Sequence, residues 1–471
     1  MTVSVSEAAT DAGSTAGSGS PSPAPSPGER SLTDLIWRWW WAPALLAVMF
    51  AARMVAVAGL RAYVYVDSGE YATLDFSGRW RRPWATPLLY AAVGREPRYE
   101  VWAQASVGAI CWTLLGLSIA AWFRDRVVRI AVVAAVCLLG LSTSVTNWDT
   151  AVLSESLALS LTALLLAGWL ALARRPSVGA AALLALATLP WLFVRQSLLP
   201  TAALVVVAAA IAAVVTWRRG GRWRPLAGLA AVLLVLTGVA AASYGRNQEI
   251  VSTNITVIVA NRIAPAPDRL AWFVGEGMPV PEGGNWDPNA MAQDPDFGPW
   301  VRSEGRSTYA RFLLSHPWYT LTAPLPEMVT VRKSYGDPVE PRVTMLSPAD
   351  GYGIARPVIP EQAERLLFEP GATGTVLTAL VAVLAWAAIR RRWADRRWAV
   401  PLATVAISLG SLVIGWHGAT PELPRLAIVA AVALRIGLIV LAGFLAEAEL
   451  AHRRTRREPG DRAPDPVPAS P

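Results

Sequence analysis

Residues 195–219 read RQSLLPTAALVVVAAAIAAVVTWRR. Between Arg195 and Arg218 no side chain is charged, and residues 198–216 as a helix cover roughly 30 Å of hydrocarbon. Lipid offers no water to a backbone N–H or C=O, so such a run satisfies itself as an α-helix. The same pattern recurs at 42–60, 100–122, 128–145, 151–172, 178–194, 226–243, 373–389, 399–416 and 425–446. The reading is an all-α polytopic membrane protein of about ten transmembrane helices.

Composition agrees. The chain has 471 residues, of which 54% are hydrophobic and 16% charged, and the mean hydropathy is +0.38. A soluble domain carries about 25% charge. Length alone would imply about three soluble domains, and the apolar runs override that. Net charge is +8. Its carriers sit in short loops between apolar runs, which is a membrane topology signal rather than a nucleic-acid footprint. Lys333 is the sole lysine, as the codon usage of a GC-rich bacterial genome explains. Cys111 and Cys137 both lie inside apolar runs and read as packing residues. His316, His417 and His452 are scattered, so no zinc cluster is legible.

The paired arginines set sidedness. With the N-terminus inside, Arg124 and Arg126, Arg174-Arg175, Arg218-Arg219, Arg390-Arg391-Arg392 and Arg453-Arg454 all fall in the cytoplasm. Arg79, Arg81 and Arg82 run against the rule in the first outer loop. Both termini are then cytoplasmic, in a bacterial cytoplasmic membrane. Residues 1–36 form a Ser-, Pro- and Gly-rich tail, read as disordered. Residues 37–243 carry helices one to seven, with the first outer loop at 61–98. Residues 244–372 read as an extracytoplasmic insertion domain of mixed or α character, because structureless loops of this length are uncommon. Residues 373–446 carry helices eight to ten, and 447–471 a basic cytoplasmic tail. Trp84 to Val93 is apolar but too short to span, and reads as an interfacial helix.

The acidic residues most out of place gather at the outer level. Asp67 and Glu70 open the first loop, three apart, so on a helix both carboxylates share a face. One could accept a proton from an attacking hydroxyl. They equally fit an N-cap with a glutamate three residues on. Asp149 and Glu155 flank the head of another span, where a helix dipole favours an acid and where intramembrane ionisable groups often mark function. Arg195 is the cation of a short outer connection and suits a phosphate by its planar fork, or snorkels as an anchor. His417, Glu422 and Arg425 mark the start of the last span, and Glu422 and Arg425 are spaced to pair. Lys333, beside Arg332, is a candidate for a diphosphate or a solvated patch. Arg53 and Arg435 lie mid-span, where an unpaired charge is costly, and either pair with Asp149 or Glu155 or hydrate a cavity, a structural ion pair being the expectation for both. No Walker motif, no Gly-x-Ser-x-Gly elbow and no matched pair of interrupted spans is present.

Asp67 to Tyr71, the stretch Arg82-Pro83-Trp84-Ala85-Thr86-Pro87-Leu88-Leu89-Tyr90, Leu153-Ser154-Glu155-Ser156-Leu157, Arg195, and Glu422 with Arg425 together resemble the GT-C class of membrane glycosyltransferases (families 39 and 83). The resemblance covers mainly 42–220, with an echo at 373–446. It implies a polyprenyl-phosphate sugar donor and a glycan, lipid or protein acceptor handled outside the cytoplasmic membrane. It implies an acid of the first outer loop as base, here Asp67 first and Glu70 second, and donor-phosphate binding by Arg195; Lys333 is added as a phosphate candidate from its own position and not from the resemblance. Many relatives carry adjacent acids there, whereas these are three apart. No cofactor is required on this reading and no metal is assigned. A divalent cation would need Asp67, Glu70 and Asp149 to converge. The rival readings are a transporter or flippase of lipid-linked saccharide, a non-catalytic envelope-assembly protein, and an inactive relative that binds glycan through the insertion.

Overall fold

The computed structural model describes residues 41–64, 68–77, 80, 82–245, 248–326, 353–368, 372–389, 396–418 and 423–457. Asp67, Lys333 and Glu422, on which part of the sequence reading falls, lie outside the described residues. Among those described, every long element is helical, and a strand-like bridge pairs Tyr63 with Ala151.

The first half runs α1 (Trp41–Val57), a 3-10 turn (Ser68–Ala72), α2 (Ala85–Ala92), α3 (Pro97–Ala120), α4 (Arg126–Leu141), the single turn α5 (Thr143–Thr146) and a 3-10 turn (Asn147–Thr150). It continues through α6 (Glu155–Arg174), α7 (Val178–Leu192), α8 (Leu199–Arg218) and α9 (Arg224–Tyr244). Six described helices, among them α3, α6, α8 and α9, are long and apolar enough to cross a membrane, and a bent pair makes a seventh. Shorter apolar helices Trp41–Val57, Val178–Leu192 and Thr378–Ala388 accompany them. Each of the ten apolar runs of the sequence overlaps a helix, the run 128–145 being divided between α4 and α5 and the run 151–172 becoming helical from Glu155.

The bent pair is Arg126–Leu141 with Thr143–Thr150, at 48°. The break falls at Ser142, whose backbone is extended and whose Oγ donates to the Leu139 carbonyl at 2.7 Å. A hydroxyl that bonds the preceding turn competes with the helix ladder. The chain leaves the break through 151–154, which lies beside the first loop. There Tyr63 N donates to Thr150 O at 2.8 Å, Val152 N to Tyr63 O at 3.1 Å, and Ser68 Oγ to Val152 O at 2.8 Å.

The insertion supplies α10 (Gln248–Ile258), α11 (Pro267–Gly275), α12 (Pro288–Gln293), α13 (Phe297–Trp300), α14 (Arg306–Ser315), α15 (Pro317–Thr322) and α16 (Glu361–Phe368). Its described part is helical with a core of its own, built on Ile258, Phe273, Met291, Phe297 and Phe312. The last helices are α17 (Ala372–Ile389), α18 (Ala399–Gly418) and α19 (Leu423–Arg457).

Small residues let the spans close on one another. A Cβ on Gly140 would meet the Trp112 ring at 2.5 Å, and one on Gly443 would meet Val132 at 2.4 Å. α19 is the most enclosed span, with 78% of its apolar window buried against 22% for α8 and α9. The bundle is therefore built around α19, while α8 and α9 face outward. Arg435, buried within α19, finds carbonyls rather than the acids expected of it. Its Nε donates to Leu367 O at 2.8 Å and its Nη1 to Ala431 O at 3.0 Å, and its guanidinium lies over the Phe368 ring. It thereby caps the C-terminal end of α16, where a cation is favoured.

Candidate active site

A cavity of about 930 Å³ opens among α6, α8, α18 and α19. Most of its wall is uncharged. Leu165, Leu166, Val205, Ala212, Ile407 and Val429 line its long stretch. Thr162, Thr201, Thr404, Ser408 and Ser411 interrupt that stretch with hydroxyls, and most of its charged residues come from the 3-10 turn of the first loop, the connection after α7 and the start of α19, with α10 beside them. There Glu70, Tyr71, Arg82, Arg195, Gln196 and Arg425 face one space. Toward the opposite ends of α6 and α8 the cavity reaches Pro176 and Arg219. The cavity thus joins a charged end to a mainly apolar channel, with Arg219 at its far end.

Each polar side chain is held from behind. Glu70 sits in the first turn of Ser68–Ala72, and its Oε2 accepts from Arg82 Nε at 2.5 Å. Trp80 Nε1 donates to the Glu70 carbonyl at 2.7 Å, which fixes the turn against the loop that follows. The Arg82 guanidinium stands 5.3 Å from the Tyr71 ring. Tyr71 is buried, and its hydroxyl donates to Ser154 Oγ at 3.1 Å. Burial pushes the Tyr71 hydroxyl above its ordinary value, so it stays a proton donor in this bond.

Arg195 and Arg425 come from distant parts of the chain and converge on Glu155. Arg195 Nη1 lies 3.2 Å from Glu155 Oε1 and donates to the Arg425 carbonyl, also at 3.2 Å. Arg425 Nε bonds the same Glu155 oxygen. Glu155 opens α6 and is fully buried, where the helix dipole favours its charge. One carboxylate thus aligns two guanidiniums that both line the cavity. Among the described residues, Arg82, Arg195 and Arg425 stand here with Glu70 and Glu155, and such guanidiniums suit a phosphate.

Asp149 is placed apart from this group. It does not line the cavity, and its carboxylate is sealed by Arg53 Nη1 at 2.7 Å and Ser156 Oγ at 2.5 Å. Arg53 also donates to the Gly140 carbonyl at 2.8 Å. Gln104 Nε2 bonds the carbonyls of Asp149 and Ala151, each at 3.0 Å. This ion pair answers the mid-span Arg53 of the sequence and positions the chain that leads into Glu155. Glu70 and Asp149 do not meet, and no group of three His, Cys, Asp or Glu among the described residues is arranged for a metal ion.

His417 also stands off the cavity. Its Nε2 donates to the Thr320 carbonyl at 2.8 Å, which leaves Nδ1 to face the Tyr309 hydroxyl at 3.2 Å. The neighbouring Arg262 guanidinium lies 3.6 Å from the Trp416 ring. These contacts clamp the insertion to the end of α18. Trp84 likewise stacks on Phe193 at 5.3 Å and joins the short α2 to the end of α7, next to Arg195. Tyr71, Arg82, Gln196 and Asn254 are cavity residues that the sequence reading left without a role. Arg82 had the legible sign, being a cation on the side where cations are scarce.

No family model and no curated protein matches the chain. Among solved structures it is similar to the archaeal oligosaccharyltransferase AglB from Archaeoglobus fulgidus, in complex with an inhibitory peptide and a dolichol-phosphate. The TM-score is 0.44 and the identity 10%, over 91% of this chain and 53% of that one, so the chain spans about half of that protein's length. The cavity, not this likeness, carries the functional conclusion.

Proposed function

We propose that the protein is an integral membrane glycosyltransferase of ten spans. It moves a sugar from a polyprenyl-phosphate donor to a cell-envelope acceptor at the outer face of a bacterial cytoplasmic membrane. The observation that carries the reading is the cavity, with three arginines and Glu70 at one end of a long, mainly apolar channel whose far end reaches Arg219. The prenyl tail would lie in the channel. The phosphate would sit against Arg195 and Arg425, which Glu155 holds in place. Lys333 remains a second candidate for the phosphate.

In the reaction an acceptor hydroxyl oxygen attacks the anomeric carbon. The bond from that carbon to the phosphate oxygen breaks, and polyprenyl phosphate leaves as the anion. The hydroxyl proton passes to a carboxylate of the first loop, Glu70 or Asp67. The arginines stabilise the charge that develops on the phosphate. No step calls for a metal or cofactor.

The protein in lipid nanodiscs, given a polyprenyl-phosphate sugar, should release polyprenyl phosphate. Loss of a general base costs about 10²–10⁴ in rate, and Glu70→Gln or Asp67→Asn should show it. Turnover equal to wild type in both would remove the base role from this loop. A transporter would instead carry a fluorescent prenyl-phosphate saccharide between leaflets with its glycosidic bond intact.

A further inference from the structure

We infer that Asn254, on the insertion helix α10, recognises hydroxyls of the sugar carried by the lipid donor; the inference rests on the transferase reading. Three observations lead to it. First, Thr253 and Asn254 line the same cavity as Glu70, Arg195 and Arg425, although they belong to the insertion. Second, α10 is rigidly set. Ile255, Thr256 and Ile258 are buried, with Ile255 and Ile258 in the insertion's own core, while Thr253 and Asn254 stay exposed. The helix packs on α18, whose end lines the cavity at Gly415 and Gly418 and is clamped to the insertion through His417. Third, the charged end fixes the order of the donor's parts. With the tail in the channel and the phosphate at the arginines, the sugar has to project beyond them, toward the walls made by the first loop and α10.

The chemistry suits that place. A carboxamide offers one acceptor oxygen and two N–H donors, so it can bond adjacent hydroxyls of a sugar without adding charge. Gln196, beside Arg195 and half-buried at the same end, presents the same group. The insertion is then a wall of the donor pocket as well as an appended domain.

The test is binding, which depends on neither acceptor nor turnover. Wild-type protein and Asn254→Ala in nanodiscs are titrated with farnesyl phosphate, and with farnesyl phosphate esterified to mannose, glucose or ribose. Wild type should bind at least one sugar-bearing lipid more tightly than farnesyl phosphate. Asn254→Ala should weaken that lipid about 10–100-fold, the scale of one or two lost polar contacts, and leave farnesyl phosphate unchanged. Equal weakening of both lipids, or no weakening of either, would overturn the inference, as would wild-type indifference to the sugar. Turnover lost in Glu70→Gln together with unaltered sugar binding in Asn254→Ala would retain the transferase and reject this residue alone.

Discussion

At the residue scale five of the buried charged residues form two clusters with different tasks. Arg53 and Asp149 pair away from the cavity, and Glu155 aligns Arg195 and Arg425 at it. A mid-span arginine costs about 2.5–3.5 kcal/mol on insertion scales, which the Asp149 carboxylate and the Gly140 carbonyl offset. Removing one partner of a buried pair costs about 3–5 kcal/mol, whereas replacing both with apolar groups is often neutral. Asp149→Leu should therefore destabilise strongly, and adding Arg53→Met should restore most of the loss. Thermal unfolding in detergent of the two single variants and the double variant would check this. Equal damage in the double variant would mean that the pair is not what holds this region. Part of the grouping was legible in the sequence. Mid-span Arg53 demanded an acid, and Asp149 was among the named partners. That Asp149 and Glu155, six positions apart, face different surroundings was not legible, because it depends on the extended chain between them.

At the element scale the bundle depends on close approaches that composition does not reveal. The ten apolar runs announced their helices through length and missing charge, and the short α2 did so through Trp84 to Val93. The break at Ser142 lay inside the run 128–145, where Ser142, Thr143 and Ser144 stand together; hydroxyls within an apolar run can bond the preceding turn without ending a helix, so the run read as continuous. The glycine contacts were hidden as well. A Cβ on Gly108 of α3 would sit 2.0 Å from Arg53 Nη1, and the ion pair prevents that side chain from yielding. Gly108→Ala should lower stability by about 1–3 kcal/mol, the usual range for overpacking, and unchanged unfolding would show that α1 and α3 can separate at no cost. The insertion's attachment is equally specific. His417→Ala removes the bond to Thr320 and the acceptor that faces Tyr309. Hydrogen exchange at 306–322 should then accelerate while α6 and α19 keep their protection. Uniform exchange across the chain would mean that the clamp is not local.

At the scale of the whole molecule a mainly apolar channel, with Arg219 at its far end, meets a charged end built from four distant stretches of sequence. The arginine-marked run at 195–219 already contained both ends of that channel, Arg195 and Arg219. Which other residues would join Arg195 was only partly legible, since Tyr71, Gln196 and Asn254 carry no charge to draw notice in a sequence. The most direct measurement is photo-crosslinking of the protein in nanodiscs with a polyprenyl phosphate that bears a diazirine midway along its tail. The account predicts labelling within 199–218 and 399–418, abolished by excess unlabelled polyprenyl phosphate and strongly reduced in Arg195→Ala. Labelling elsewhere on the bundle, or labelling of these helices that neither competitor nor Arg195→Ala diminishes, would contradict it.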